Sequence, residues 1–332
     1  CEVTSPRSIG PVRFGPGVEF DLIRRLINPD DLLPIGVDLG PGDDAAVLEG
    51  GWVLSTDLSL EGVHFRRAWL DDQEIGFRAV SCALSDLAAM AAVPVGVFIS
   101  MAANGEEVVE ALQSGCRQAA SEVGAVVLGG DLSSTSGPVF IDVIGLGSAS
   151  RPGLRSGAVA GNDIWVTGRL GASSTAVRVW QRGDEPPLEA RQAFARPSPR
   201  CDEGCYLVER GIANALIDLS DGLAGDSAHL AAASGVQIVL EEARVPVATV
   251  AVEVLGPEEA LQAALHGGED YELCFAAATD AVDPSYFQDH FGLEVTRVGH
   301  IREGCGVWID RGGVEPEPLT RSGFDHYTAD VL

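Results

Sequence analysis

Residues 41–65, "PGDDAAVLEGGWVLSTDLSLEGVHF", decide how this chain is read. Two apolar runs, "AAVL" and "WVLS", flank a Gly-Gly pair, the pattern of two short strands around a tight turn. Adjacent aspartates, Asp43 and Asp44, precede the first strand, and "STDLS" places Asp57 at the end of the second. A turn accounts for one aspartate, because Asp hydrogen-bonds its own backbone. The second needs another reason, and the rest of the chain repeats the pattern.

Upstream, "VEFDLIRRLIN" (18–28) carries apolar positions at helical spacing. Downstream, residues 71–92 read as a helix with Asp86 inside it, "VGVFISMAA" as a strand, and 105–124 as a long amphipathic helix. "AVVLGGDLSS" reads as a strand running into a glycine-rich turn, followed by the strand "VFIDVIGLGSA". The segment 149–162 is rich in Gly, Ser and Pro and marks a domain boundary, giving an N-terminal domain over 18–149 and a C-terminal one over 150–327. The second half supplies the strands "DIWVTG", "VQIVLEE", "DYELCFAAAT", "VTRVGHI" and "GVWIDRGG". Its helices are expected over "GASSTAVRVWQR", "LEARQAFA", 202–213 and "EEALQAALHGG". Residues 215–235 read as strand, acidic turn and helix. Hairpin-like pairs interrupt the alternation, so mixed α/β layers (α+β, mixed sheets) are expected rather than a purely parallel sheet.

At 332 residues, 46% of them apolar and 21% charged, the chain can bury a substantial core in two domains. It has no membrane-spanning apolar stretch and no visible signal peptide, and Cys1 in place of Met reads as a trimmed start. Seven scattered cysteines read as buried thiols of a cytoplasmic protein, and Cys201 with Cys205 as core packing rather than a zinc knuckle. A net charge of −27 argues against nucleic acid as partner. All 22 basic residues are arginines. Without lysine, the P-loop, the protein-kinase strand lysine and lysine Schiff-base chemistry are all excluded. Phosphates would have to be handled by metal ions, arginines and backbone amides.

Asp43, Asp44, Asp57, Asp86, Asp131, Asp221 and Asp226 sit among Gly, Ser, Thr and small apolar residues, inside the similar words "STDLS", "LSDL", "GGDLS" and "DLSDGLAGD". A solvated face would mix acids with bases. Taken alone, any one of these aspartates reads as a turn former or N-cap. As a converging set they would repel, by about 4 kcal/mol for a pair ~4 Å apart at an effective dielectric of 20. Cations would then be required, and carboxylates with hydroxyls and substrate phosphates suit Mg²⁺. Taken singly, His64 reads as a satisfied core histidine, Glu269 as an element start, Arg155 as a loop arginine and Phe324 as a tail anchor.

The ordered run "GDDAAVL…STDLSLEGVHF…EIGFRAVSCALSDLAAMAAVP…LGGDLSS…RSGA…ARPSPR…LIDLSDGLAGD…LHGGEDYELCF…GFDHY" resembles bacterial thiamine-monophosphate kinases, from about residue 18 to 327. "HGGEDYEL" and "STD…EGVHF" separate this family from its aminoimidazole ribonucleotide synthetase-like relatives. The resemblance implies that two-domain fold, with N-terminal domains pairing into a β-barrel in a homodimer, and ATP with several Mg²⁺ ions held between the domains. It implies metal-binding roles for Asp44, Asp57, Asp86, Asp131, Asp221 and Asp226, with Ser55 and Thr56 adding oxygen ligands. Gly130, Asp131 and Arg155 match nucleotide contacts; His64, Glu269 and Phe324 match contacts to thiamine monophosphate. Two departures stand out: "GGDLSST" replaces the common "GGDTTR", and Gly225 replaces a serine at a nucleotide-contact position. The implied reaction is ATP-dependent phosphorylation of thiamine monophosphate to thiamine diphosphate, with no general base. The alternatives are another ATP-using enzyme of the superfamily, such as a selenophosphate synthetase, or a non-catalytic nucleotide- or metal-binding regulator.

Overall fold

A Gly-Gly turn organises the first sheet. Gly50 and Gly51 both have positive φ (87° and 80°), which joins β2 (Ala46–Leu48) to β3 (Trp52–Leu60) as a tight hairpin. A side chain at Gly51 would also overlap the Ala149 carbonyl. The computed structural model describes residues 8–313, 315–320 and 323–327. Before the hairpin come α1 (Val18–Leu26) and β1 (Val37–Leu39). After it come α2 (Asp72–Ala89), β4 (Val93–Ala103), α3 (Glu106–Glu122), β5 (Val126–Ser134) and β6 (Phe140–Ser148). The six strands lie in the order β1-β2-β3-β6-β4-β5, with only β4 and β5 parallel.

Helix α2 starts on a capping box, Asp71 with Glu74, and buries nearly all its side chains. It packs against α3 through Gly76 and Gly115, where a Cβ would overlap the Leu112 and Gln73 carbonyls respectively. The opposite face of the sheet leaves Trp52, Leu58, Phe98, Leu128 and Phe140 exposed.

The second sheet begins with β7 (Asn162–Thr167), buried along its whole length. There follow α4 (Ala172–Gln181), α5 (Leu188–Ala195), α6 (Cys201–Glu209), β8 (Ala213–Asp218), α7 (Leu223–Ser234) and β9 (Gln237–Glu241). The chain continues through α8 (Thr249–Leu255), α9 (Pro257–His266), β10 (Leu273–Ala278), α10 (Pro284–Phe291), β11 (Val295–Arg302), β12 (Gly306–Asp310) and β13 (Glu317–Pro318). Strand order is β13-β12-β9-β11-β7-β10-β8, with β12 and β9 the parallel pair. Both sheets are mixed. Between the sheets lie residues 149–161, yet one apolar core spans both sides: Val80 and Leu84 of α2 share a cluster with Trp180, Phe194 and Val250.

Several expectations need correction. The 202–213 helix stops at Glu209, because Ala213 already pairs in β8. Strand β5 runs straight through Gly129-Gly130, carried by parallel bonds to β4, instead of turning there. Asp57 and Asp131 therefore lie inside strands, not at their ends. Helices α8 and α10 were not foreseen. Of the cysteines, Cys82, Cys116, Cys201 and Cys274 are buried, but Cys305 is exposed; Cys1 lies outside the described residues. Among the described residues, no helix is long and apolar enough to cross a membrane.

Candidate active site

The paired aspartates of the opening loop divide two tasks. Asp43 accepts the Arg155 backbone N–H (3.1 and 3.2 Å), pinning the segment that joins the sheets. Asp44 takes the Arg155 guanidinium through Nε (3.1 Å) and Nη2 (2.5 Å). Its other oxygen, Oδ2, is buried with no hydrogen-bond partner.

Around Asp44 the fold gathers charge. Asp86, in the last turn of α2, and Asp218, at the C-terminal end of β8, bring carboxylate oxygens within 4.8 Å of one another and of Asp44. Ser85 Oγ donates to Asp218 Oδ2 (2.6 Å). Burial, with the charge of Asp44 next, pushes Asp218 up to about 7. Burial and then the Asp218 charge hold Asp86 well above the usual carboxylate range. Burial also raises Asp221 to about 7, with Glu19 and Glu269 adding to it, and Asp57 to about 6, with Glu269 adding to it. Carboxyls so crowded accept a proton or a hard divalent cation, and the orphaned Asp44 oxygen fits the second. All these donors are oxygen, the set that Mg²⁺ prefers.

Strand alternation sorts the β3 candidates. Ser55 faces inward, its hydroxyl donating to the Ala83 carbonyl (3.2 Å), and Asp57 shares that face. Thr56 points to the open face and donates to Asp142 Oδ1 (3.0 Å). Asp131 pairs in register with Ser100, which pairs with Asp142, so Asp131 also belongs to the open face. Gly130 and Asp131 are exposed and line neither the carboxylate cluster nor the cleft beside it.

That cleft, about 480 Å³, brings Asp57, Asp221, His64, Glu269 and Phe324 to one cavity wall system, with Glu19, Arg178 and His326 also lining it. Glu269 and Tyr271 sit at positive φ (66° and 50°), a strained loop between α9 and β10. Buried Arg78 holds it: its guanidinium pairs with Glu269, donates to the Phe194 carbonyl (2.6 Å) and lies 3.9 Å over the Phe194 ring. Tyr271 OH adds a bond to Glu269 Oε2 (2.7 Å). His64 accepts the Leu60 N–H on Nδ1 (3.0 Å), and burial lowers it to about 4, so the ring is neutral at neutral pH.

Two candidates have other work. Asp226 Oδ2 accepts the backbone N–H groups of Asp221 (3.1 Å) and Gly222 (3.0 Å), fixing the turn before α7. It lies with Asp221 and His229, whose Nδ1 accepts the Gly15 N–H (3.0 Å). Gly225 packs against Gly323, where a side chain would crowd the Gly323 amide at 2.9 Å. Sequence reading missed Asp218, Arg78, Glu19 and His326. In sequence Asp218 reads as a strand residue, although the C-terminal end of a sheet strand is itself a site signal. Arg78 was visible as a lone charge amid the apolar and small residues of "GFRAV".

The family described as "AIR synthase related protein, N-terminal domain" matches residues 42–149. The chain is 33% identical to the thiamine-monophosphate kinase of Escherichia coli K12 over 327 residues, covering 93% of this chain and 98% of that protein. It is 36% identical to the Mycobacterium tuberculosis H37Rv thiamine-monophosphate kinase, covering 79% and 82%. Among solved structures, the Stenotrophomonas maltophilia K279a thiamine-monophosphate kinase superposes with a TM-score of 0.74 at 35% identity, over 83% of this chain and 91% of that one. A ThiL structure complexed with AMPPCP and TMP gives 0.77 at 30% identity, over 90% and 94%. The hydrogenase maturation protein HypE in complex with ATP gives 0.67 at 19% identity, over 87% and 91%, a likeness of fold alone.

Proposed function

The chain belongs to the thiamine-monophosphate kinase family, and from that premise we propose that it phosphorylates thiamine monophosphate to thiamine diphosphate with ATP. The observation that carries the reading is the adjacency of a buried carboxylate cluster to a cleft lined by His64, Glu269 and Phe324. Such an arrangement can hold an anionic donor beside a flat, cationic acceptor.

Asp44, Asp86 and Asp218 would hold Mg²⁺, with Asp57 and Asp221 at the cleft edge; Asp226 serves the turn. Mg²⁺ bound there would screen the charge between two phosphates. Arg155, buried against Asp44, is placed to turn toward a nucleotide phosphate once that carboxylate has another cation. Neutral His64 adds no positive charge against the thiazolium ring, and Glu269, locked by Arg78 and Tyr271, offers a fixed acceptor to the aminopyrimidine edge. The acceptor phosphate is ionised at neutral pH, so no residue has to remove a proton. Positioning and charge stabilisation then supply the rate. We assign 18–149 to metal and nucleotide binding and to pairing, and 150–327 to completing the site. Pairing would be as a homodimer across the open face of the first sheet, which carries Thr56 and Asp131.

Incubating the protein with MgATP and thiamine monophosphate should yield thiamine diphosphate and ADP. Both substrates should bind before ADP leaves, with no ATP–ADP exchange when thiamine monophosphate is absent. Exchange at the turnover rate, with label kept on the protein, would refute direct transfer.

A further inference from the structure

The word "GFDHY" (323–327) gives one residue, Phe324, to the reading above and leaves Asp325 and His326 unassigned. Helix α1 begins after Gly17, which offers no side chain to its first amides. Asp325, almost fully buried, supplies the cap from the far end of the chain: Oδ2 accepts Val18 N–H (2.6 Å) and Glu19 N–H (3.3 Å). Glu19 answers by accepting the His326 N–H (3.3 Å), and the Phe324 N–H donates to the Asp221 carbonyl (3.0 Å). The two chain ends are thus tied together at the cleft. There the His326 ring sits edge-on to both His64 and Phe324, at 5.0 Å from each. All three rings line the cleft with Glu19; Asp325 does not.

We propose that His326 contacts the acceptor's rings and that Asp325 is a positioning residue, which holds Phe324 and His326 in place by capping α1. The inference rests on thiamine monophosphate being the acceptor. Thiamine offers two flat rings, one of them cationic, and the perpendicular Phe324 and His326 rings present a face to one and an edge to the other. A helix cap alone could come from a serine or aspartate at position 17, with a shift of the Phe20 ring that a Cβ there would approach to 2.9 Å. Drawing it from residue 325 ties the Phe324–His326 wall to the helix that brings Glu19 to the same cleft.

The test uses steady-state kinetics of the full chain with MgATP. Asp325→Ala should raise the KM for thiamine monophosphate about 10-fold or more, with the KM for ATP within about twofold and kcat changed less than that KM. Asp325→Asn, whose amide oxygen still accepts the Val18 N–H, should recover most of the loss. His326→Ala should raise the same KM, and the double variant should be less than multiplicative, since both act on one wall. Gly17→Ser added to Asp325→Ala restores a local cap, and should recover Tm without recovering KM. It also serves where Asp325→Ala alone folds poorly. An unchanged KM in folded Asp325→Ala, or recovery of both Tm and KM by Gly17→Ser, overturns the inference. Wild-type protein that leaves thiamine monophosphate unconverted overturns instead the functional reading beneath it.

Discussion

At the scale of single residues, the chemistry is set by carboxyls that burial has robbed of water. Asp86→Asn replaces a carboxyl that burial, and then the Asp218 charge, hold well above the usual carboxylate range. Its folded stability in chelator should match wild type, while turnover falls by about 100-fold or more. Near-normal activity at limiting Mg²⁺ would remove Asp86 from the metal set. The raised carboxyls also fix a pH dependence. Folded values of about 6 for Asp57 and about 7 for Asp218 and Asp221 lie above the ordinary 3.8. Their contribution to stability is therefore full below pH 3.8 and is lost as pH rises through 6 to 7. His64 and His229, lowered by burial to about 4 and about 3, act in the opposite sense over much of the same range. The metal isolates the carboxyls: the gain in Tm on adding Mg²⁺ should be small at pH 5 and larger at pH 8. A gain independent of pH would count against the cluster as the binding site.

At the scale of elements, α2 does most to place the site. It is buried on nearly every side, starts on its own capping box, and presents Arg78 at one turn and Asp86 at its end. Its approach to α3 depends on glycine at 76 and 115, because no Cβ fits between the helix backbones. Gly115→Ala should therefore destabilise by about 1–3 kcal/mol through overpacking, measured by denaturant midpoint. A neutral result would show that the helices can part without cost. The strands were legible because period-two alternation survives in short segments, as in β3. The missed helix α8 has too few turns to show a period, and its burial comes from neighbours distant in sequence.

At the scale of the whole molecule, the open face of the first sheet meets no partner among the described residues. Trp52, Leu58, Phe98, Leu128 and Phe140 are exposed on that face, more apolar surface than a monomer comfortably shows. Light scattering at micromolar concentration should report a dimer. Leu128→Glu with Phe98→Glu should give a monomer that has also lost activity, because Thr56 and Asp131 share that face. A monomeric wild type, or an active monomeric variant, would refute the pairing.

The amino-acid order alone determined the strand and helix pattern, the mixed layers, the absence of lysine chemistry, and the acidic words from which the family and most site residues were read. Those are local properties: turn glycines, apolar periods and carboxylates among small residues act over a few positions. What only the tertiary structure decided is which carboxylates meet. It brought Asp218 to Asp44 and Asp86, turned Asp131 and Thr56 to the other face, and gave Asp226 to its own turn. It also tied Asp325 to the start of α1 across nearly the full chain. Spacing in sequence cannot foresee this, because contacts between distant segments depend on sheet register and on which face of a strand each side chain leaves.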